Sequence, residues 1–97
     1  MRYKASQHDP NYCGRMITEV LLGAASKLMR EGVLPRDAFF GPATFQLVQN
    51  ILVAQHDPSL RGEWDGNRFY LRMALCGREL CLHMDESVPE ESVELEP

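Results

Sequence analysis

The chain has 97 residues, a length that favours one small domain with a single core. It carries 14 acidic and 10 basic residues, and 44% of its residues are hydrophobic, which is ordinary for a globular protein. No apolar run approaches the length of a membrane span, and three cysteines without zinc-finger spacing argue against a disulfide framework. The sequence therefore predicts a reduced, cytoplasmic protein that does not bind a membrane.

Two amphipathic helices are predicted in the first half of the chain. The first covers about 14–31 and ends where Gly32 and Pro35 stop helical continuation. Its apolar positions recur at helical spacing, namely Ile17, Val20, Leu21, Ala24 and Leu28. The second covers about 42–55, with Pro42 suited to its first turn. Its apolar stripe consists of Phe45, Val48, Ile51 and Leu52. Phe39 and Phe40, just before it, are expected to close the core.

Three antiparallel strands are predicted next, at about 60–64, 67–75 and 78–85. Cys76-Gly77 forms a two-residue loop that brings Leu71 opposite Leu82, so that apolar side chains share one face. Asp65-Gly66 is typical of a type I′ hairpin turn, which sets Glu63 opposite Arg68. The same ladder puts Asp85 on the other side of Arg68.

The predicted fold class is α+β, in which two amphipathic helices pack on one face of a three-stranded antiparallel β-meander. Residues 1–86 form the single domain. Residues 87–97 are predicted to be a disordered acidic tail, because the segment from Asp85 to the end contains six acidic residues, no Lys or Arg, and few apolar residues.

The outer face of the meander is the candidate binding surface, since the alternation leaves arginines, a tyrosine and a histidine exposed there. Its residues are Arg61, Arg68, Tyr70, Arg72 and His83, with Arg78 at the turn. Arginine and tyrosine on a rigid sheet suit a protein-binding patch. The alternative is that this is only the solvent-exposed face that many antiparallel sheets have without any function. An acidic partner is expected, and the acidic tail itself could cover the patch.

Two kinds of catalytic or metal chemistry have little support. Gln-His-Asp-Pro occurs twice and places His8-Asp9 and His56-Asp57 in turns, where Asp capping explains them better than metal ligation does. The three cysteines lack a sign of activation, and no nucleophile or phosphate-binding motif is present. We therefore predict no enzyme activity, cofactor, metal or small-molecule substrate.

The leading hypothesis is a small non-enzymatic protein–protein interaction module that acts as an inhibitor, adaptor or assembly subunit. The alternative is a winged-helix nucleic-acid binder, with a short helix over Pro35 to Phe40, a recognition helix over 42–55 and the 67–84 hairpin as wing. That recognition helix has no Lys or Arg, so nucleic acid is the weaker expectation. A third possibility is a homodimer formed through an uncovered edge strand.

Overall fold

A six-stranded mixed sheet with two helices on one of its faces forms the structure, a computed structural model that describes residues 2–97. Met1, the first residue of the predicted domain, lies outside the described residues. The helices are α1 Ile17–Arg30 and α2 Pro42–Ala54, and a short 3-10 turn covers Pro10–Tyr12. The strands are β1 Tyr3–Ser6, β2 Asp37–Phe40, β3 Arg61–Asp65, β4 Arg68–Leu75, β5 Arg78–Met84 and β6 Ser92–Glu96.

The strands lie in the order β1-β6-β2-β5-β4-β3, so the predicted three-stranded meander is wrong as a description of the fold. β3, β4 and β5 form one antiparallel half of the sheet. β2 pairs parallel to β5 and joins this half to β6 and β1, which are antiparallel to their neighbours. The strands missed from the sequence are only four or five residues long, which gives weak periodicity.

The C-terminal segment is a core strand, and the prediction of a disordered tail over 87–97 is therefore wrong. β6 lies between β1 and β2 and bonds to both. Val93 and Leu95 are fully buried, and Val88 is nearly so. The acidic residues misled the sequence analysis because Glu94 and Glu96 occupy alternate positions, on the opposite side of the strand from these apolar residues.

The helices and the apolar side of the strands enclose one hydrophobic core. α1 contributes Ile17, Val20 and Leu21, and α2 contributes Phe45 and Val48. The strands contribute Ala38, Phe40, Leu71, Met73, Leu80, Leu82, Val93 and Leu95. In the described residues, no helix has the length and apolarity that crossing a membrane requires.

The two hairpin predictions had different outcomes. The Cys76-Gly77 loop is confirmed: both residues have positive φ, at 52° and 76°, and Leu71 lies opposite Leu82. The β3–β4 register is wrong by two residues, because the loop is Gly66-Asn67 and Asp65 pairs with Arg68. Gly66 has a φ of 62°, which fits a type II′ turn with glycine first. A shift of two leaves every side chain on its predicted face.

Glu90 caps the start of α2 from a distant part of the chain. Its carboxylate accepts hydrogen bonds from the Ala43 and Thr44 amides and from the Thr44 hydroxyl. The Thr44 hydroxyl bond and the backbone bonds lower the pKa of Glu90 although partial burial opposes this. The N-cap residue, Gly41, supplies no side chain, so the cap that α2 needs comes from the segment before β6.

Candidate functional site

The candidate site is the open face, the side of the sheet that the helices do not cover. One row of residues crosses it from β1 to β3 in direct cross-strand register: Lys4, Glu94, Phe39, His83, Tyr70 and Glu63. Acidic or basic residues lie at both ends of the row and three rings lie in its middle. The structure thus places an aromatic centre between charged margins.

Phe39, His83 and Tyr70 form an aromatic row on three adjacent strands. The Phe39 and His83 ring centroids are 5.1 Å apart with an interplanar angle of 22°, and those of Tyr70 and His83 are 5.4 Å apart at 27°. The Arg2 guanidinium lies 3.8 Å from the Phe39 ring centroid, a cation–π contact. His83 Nε2 is also 2.8 Å from Asp37 Oδ1, which fixes the orientation of the imidazole. These contacts together fix the arrangement of the three rings.

Arg2 joins the start of β1 to three acidic residues on the open face. Its guanidinium donates to Asp85 at 2.8 Å, to Glu96 at 2.9 Å and to Glu94 at 3.4 Å. These contacts, first of all the bond to Asp85, raise the pKa of Arg2 beyond its already high ordinary value. The Glu94 side chain is only 11% exposed. Arg2 therefore neutralises a carboxylate that the sheet has largely removed from water.

Arg72 forms a second ionic cluster at the Tyr70 end of the aromatic row, whereas Arg2 lies at the Phe39 end. Its guanidinium donates to Glu79 and, at 3.2 Å, to Glu63, and these contacts raise its pKa, the Glu79 bond having the largest effect. Both carboxylates are partly exposed, so the cluster orients Arg72 more than it stabilises the fold.

The predicted site residues are not all brought together as expected. Tyr70 pairs with His83, and Arg72 with Cys81, as the ladder predicted. Arg61 lies opposite Arg72 and not beside Tyr70, because of the two-residue shift in β3. Arg78 is exposed at the turn, where strand alternation puts it on the side of Leu80, away from the open face.

Arg68 forms no ion pair with Glu63 or Asp85, the two carboxylates that the sequence predicted beside it. Glu63 is bound by Arg72, and Asp85 is bound by Arg2. Among residues 2–97, Arg68 and Arg61 form no ion pair, although the Asp65 carboxylate lies opposite Arg68 in the β3–β4 register. The rest of the face, predicted to be basic, is balanced by its own carboxylates.

Arg2, Asp37 and Phe39 were not predicted as site residues, and they join the predicted Tyr70 and His83 on the open face. Phe39 was expected in the core, but only Phe40 is buried there, since adjacent residues of a strand point to opposite faces. Two signals in the sequence could have found this half of the face. One is the alternation of Val93 and Leu95 with Glu94 and Glu96 in β6, and the other is the Asp37–Phe40 run after Pro35.

The other candidate groups lie in local structure. Asp57 accepts hydrogen bonds from the Ser59 amide and hydroxyl, and Asp9 accepts one from the Ser6 amide, so each His-Asp motif forms a turn. His8 pairs with Glu91 at 2.7 Å. Within the described chain, no three His, Cys, Asp or Glu residues are grouped so that they could hold a metal ion.

Cys81 lies in surroundings that disfavour its thiolate form. An open depression of about 750 Å³ is lined by Cys76 and Cys81 together with Asp37 and Arg78. Burial raises the pKa of Cys81, and the nearby Asp37 carboxylate adds to this. A raised pKa disfavours the thiolate that nucleophilic chemistry requires.

Comparisons with known proteins give no further assignment: no protein family, curated protein or solved structure matches this chain.

Replacing Arg2 by alanine should destabilise the protein by about 1–3 kcal/mol, because Glu94 would lose the cation beside it. The effect should depend on pH. Hydrogen bonds from Ser87 and from Arg2 lower the pKa of Asp85 from 3.8 to about 2, so the stability that this group provides is complete above pH 4 and is lost as the pH falls toward 2. Urea unfolding at pH 7, 4 and 3 measures both effects.

The Arg2→Ala variant should lose less stability than the wild type between pH 4 and pH 3, since Asp85 has lost one of its donors. Lys4→Ala is the matched control, because Lys4 is an exposed cation opposite Glu94 on the same strand pair. An equal loss in the free energy of unfolding for the two substitutions would show that Arg2 has no special role.

Proposed function

We propose that this protein is a binding module that docks a partner protein on the open face of its sheet. The observation that carries the proposal is the aromatic row of Phe39, His83 and Tyr70, stacked across three strands and flanked by Arg2. The module acts by occupying the partner's surface, as an inhibitor, adaptor or assembly subunit does.

The composition of the face supports protein binding. Tyrosine, other aromatic residues and arginine are enriched where interfaces gain most of their energy, and a polar margin surrounds such centres. Here the side chains of the centre are already stacked and hydrogen-bonded, so little side-chain entropy remains to be lost on docking. A sheet also holds them on a rigid surface.

The charges of the face favour a partner with an apolar centre and carboxylates on one side. Arg2 and Arg72 are neutralised by their own clusters, so they add contact area but little net charge. Arg61 and Arg68, at the β3–β4 end, form no ion pair in the described residues, and of the two only Arg68 has a carboxylate, that of Asp65, directly opposite it in the register. An acidic patch on the partner would meet them there and would fix the orientation of docking.

Tyr70→Ala should weaken partner binding by at least about tenfold, as expected for the loss of an aromatic anchor in the centre of an interface. The partner is first captured from native lysate on the wild-type protein and then purified, and its affinity is measured for wild type and variant. Arg68→Glu should also weaken binding, and its effect should shrink as salt is added.

Arg30→Glu is the matched control, since Arg30 is an exposed arginine at the end of α1 on the other side of the molecule. NMR titration with the purified partner should shift Phe39, Tyr70 and His83 before it shifts residues of α1 or α2. The proposal is wrong if Tyr70→Ala binds as tightly as wild type, or if the shifts fall on the helices.

Nucleic-acid binding has less support. The segment that a helix-turn-helix would need as its first helix is strand β2, so the predicted winged-helix arrangement is wrong for these residues. The exposed side of α2 presents Gln46 and Asn50 and no basic side chain. Tight duplex DNA binding that falls steeply with salt would contradict the protein-docking proposal.

A further inference from the structure

β3 is the exposed edge of the sheet, and the other edge is protected. At β1 the Ser6 amide donates to Asp9 Oδ2 at 3.1 Å, and the Ser6 carbonyl accepts from the Asp9 amide at 3.1 Å. That strand is also short and carries Lys4, both of which discourage edge pairing. At β3, by contrast, four of five residues are exposed, and Trp64 retains 70% of its accessible surface.

The hairpin geometry defines which backbone groups β3 offers. In a two-residue hairpin the residues that flank the loop exchange both hydrogen bonds, here Asp65 and Arg68. Alternate residues therefore direct their N–H and C=O groups away from β4, and these are Leu60, Gly62 and Trp64. The Leu60 amide donates to the Asp57 carbonyl at 3.3 Å, which leaves its carbonyl available.

Charge selects one register if a second copy pairs with this edge. Antiparallel pairing requires that even-numbered residues face even-numbered residues, so that the outward groups meet. If Gly62 faces Gly62, then Arg61 faces Glu63 twice and Leu60 faces Trp64 twice. The next allowed register in one direction sets Arg61 opposite Arg61. The next allowed register in the other direction sets Glu63 opposite Glu63. Opposed like charges destabilise a strand pair.

We infer that two copies of this chain form a dimer by antiparallel pairing of β3 with β3, centred on Gly62. The two-fold axis then runs perpendicular to the sheet, and the two sheets become one. This inference goes beyond the proposed function, because it concerns the edge of the sheet and not its open face.

This pairing gives Arg61 the facing carboxylate that it lacks in the single chain. Inside one chain its direct cross-strand neighbour is Arg72, another cation, whose own guanidinium is bound by Glu63 and Glu79. Among the described residues, Arg61 has no carboxylate partner. In the dimer each Arg61 lies opposite Glu63 of the other copy, at a pair where side chains approach closely.

The apolar side of β3 is complementary to itself as well. Trp64 packs against Phe69 with ring centroids 5.2 Å apart, and most of its indole still faces solvent. A second copy would bring Leu60 against that indole. Gly62 lies at the two-fold axis of the proposed dimer. The Phe69 ring of the same chain lies over Gly62 and leaves no room there for a Cβ atom. Pairing thus removes from water the most exposed large hydrophobic side chain of the described residues.

Sedimentation velocity across a concentration series tests the inference. With concentrations from about 1 μM to about 1 mM, we expect the mass to rise from that of one chain to that of two. Trp64 is the sole tryptophan, so its fluorescence emission should shift to shorter wavelength over the same range. A single-chain mass at every concentration would overturn the inference.

Charge exchange tests the register. Arg61→Glu should weaken the dimer at least about tenfold, because the introduced carboxylate then faces Glu63, while the fold keeps a favourable pair with Arg72. The double variant Arg61→Glu/Glu63→Arg should dimerise again, since each introduced carboxylate then faces an introduced guanidinium of the other copy. Arg30→Glu, the matched charge reversal on α1, should change nothing.

Two results would contradict this arrangement. One is an Arg61→Glu variant that dimerises as the wild type does. The other is a folded double variant that stays monomeric, because the neighbouring register, with Glu63 facing Glu63, predicts no rescue. If the double variant does not fold, Trp64→Ala serves as the test instead. This variant should form a weaker dimer, and self-association equal to that of the wild type would overturn the inference.

Discussion

A chain that ends at Glu86 is expected not to fold cooperatively. Removing residues 87–97 deletes β6, which lies between β1 and β2, and takes Val88, Val93 and Leu95 out of the core. Each buried aliphatic side chain is worth about 1.5–3 kcal/mol, and a small domain has only about 5–15 kcal/mol in total. Thermal unfolding followed by far-ultraviolet circular dichroism should show no sharp transition.

Deleting Pro97 alone is the matched control, because Pro97 is exposed and the backbone bond between Arg36 and Glu96 remains. The variant that lacks only Pro97 should unfold at nearly the same temperature as the wild type. A cooperative, wild-type-like transition in the chain that ends at Glu86 would mean that β6 is not part of the stable fold.

Gly41→Ala is expected to destabilise the protein by about 2–4 kcal/mol, from overpacking together with loss of a helix cap. The φ of Gly41 is −61°, which any residue adopts, so backbone strain adds nothing to the cost. An added Cβ atom would lie 2.7 Å from the Val88 carbonyl oxygen and would also overlap the Glu90 carboxylate. Urea unfolding at neutral pH measures the change in the free energy of unfolding.

A double-mutant cycle with Glu90→Ala separates the two causes. If Gly41→Ala acts partly by displacing Glu90 from the start of α2, the double variant should cost at least about 1 kcal/mol less than the two single costs together. Strict additivity would show that the clash with Val88 is the whole effect. A neutral Gly41→Ala variant would contradict the close approach of the two segments.

The β4–β5 hairpin could be predicted because its information is local. Cys76-Gly77 supplies the turn, and the apolar residues on each side match in only one register, which the structure has. The β3–β4 register needed more than local pattern, because Asp65, Gly66 and Asn67 allow two different two-residue loops. Both loops keep the same side chains on the same face, so hydrophobic pattern could not choose between them.

β6 could not be predicted with the same rules, because its neighbours are distant in the chain. Its composition is acidic, and composition alone indicated disorder. What stabilises it is the burial of Val93 and Leu95 beneath α1, together with Arg2, which lies more than ninety positions before Glu96 and neutralises the acidic side. A cation so far away is invisible to any short window of sequence.

The same limit explains which part of the open face was found. Tyr70 and His83 belong to the local hairpin and were paired in advance, whereas Phe39 and Asp37 arrive through the parallel pairing of β2 with β5. Such parallel neighbours leave no local signature, because the connection between them spans a helix and two strands. The sequence therefore identified two of the three rings in the aromatic row, and it overstated the positive charge of the open face.

The position of β6 also dictates the order in which the chain can acquire its structure. β1 bonds only to β6, and these partners are separated by nearly the whole chain, so this pairing carries a large loop-closure cost. The β3–β5 meander needs only short loops and can form early. The amides of β4 and β5 should accordingly gain protection from hydrogen exchange during refolding before those of β1, which must wait until β6 has been inserted.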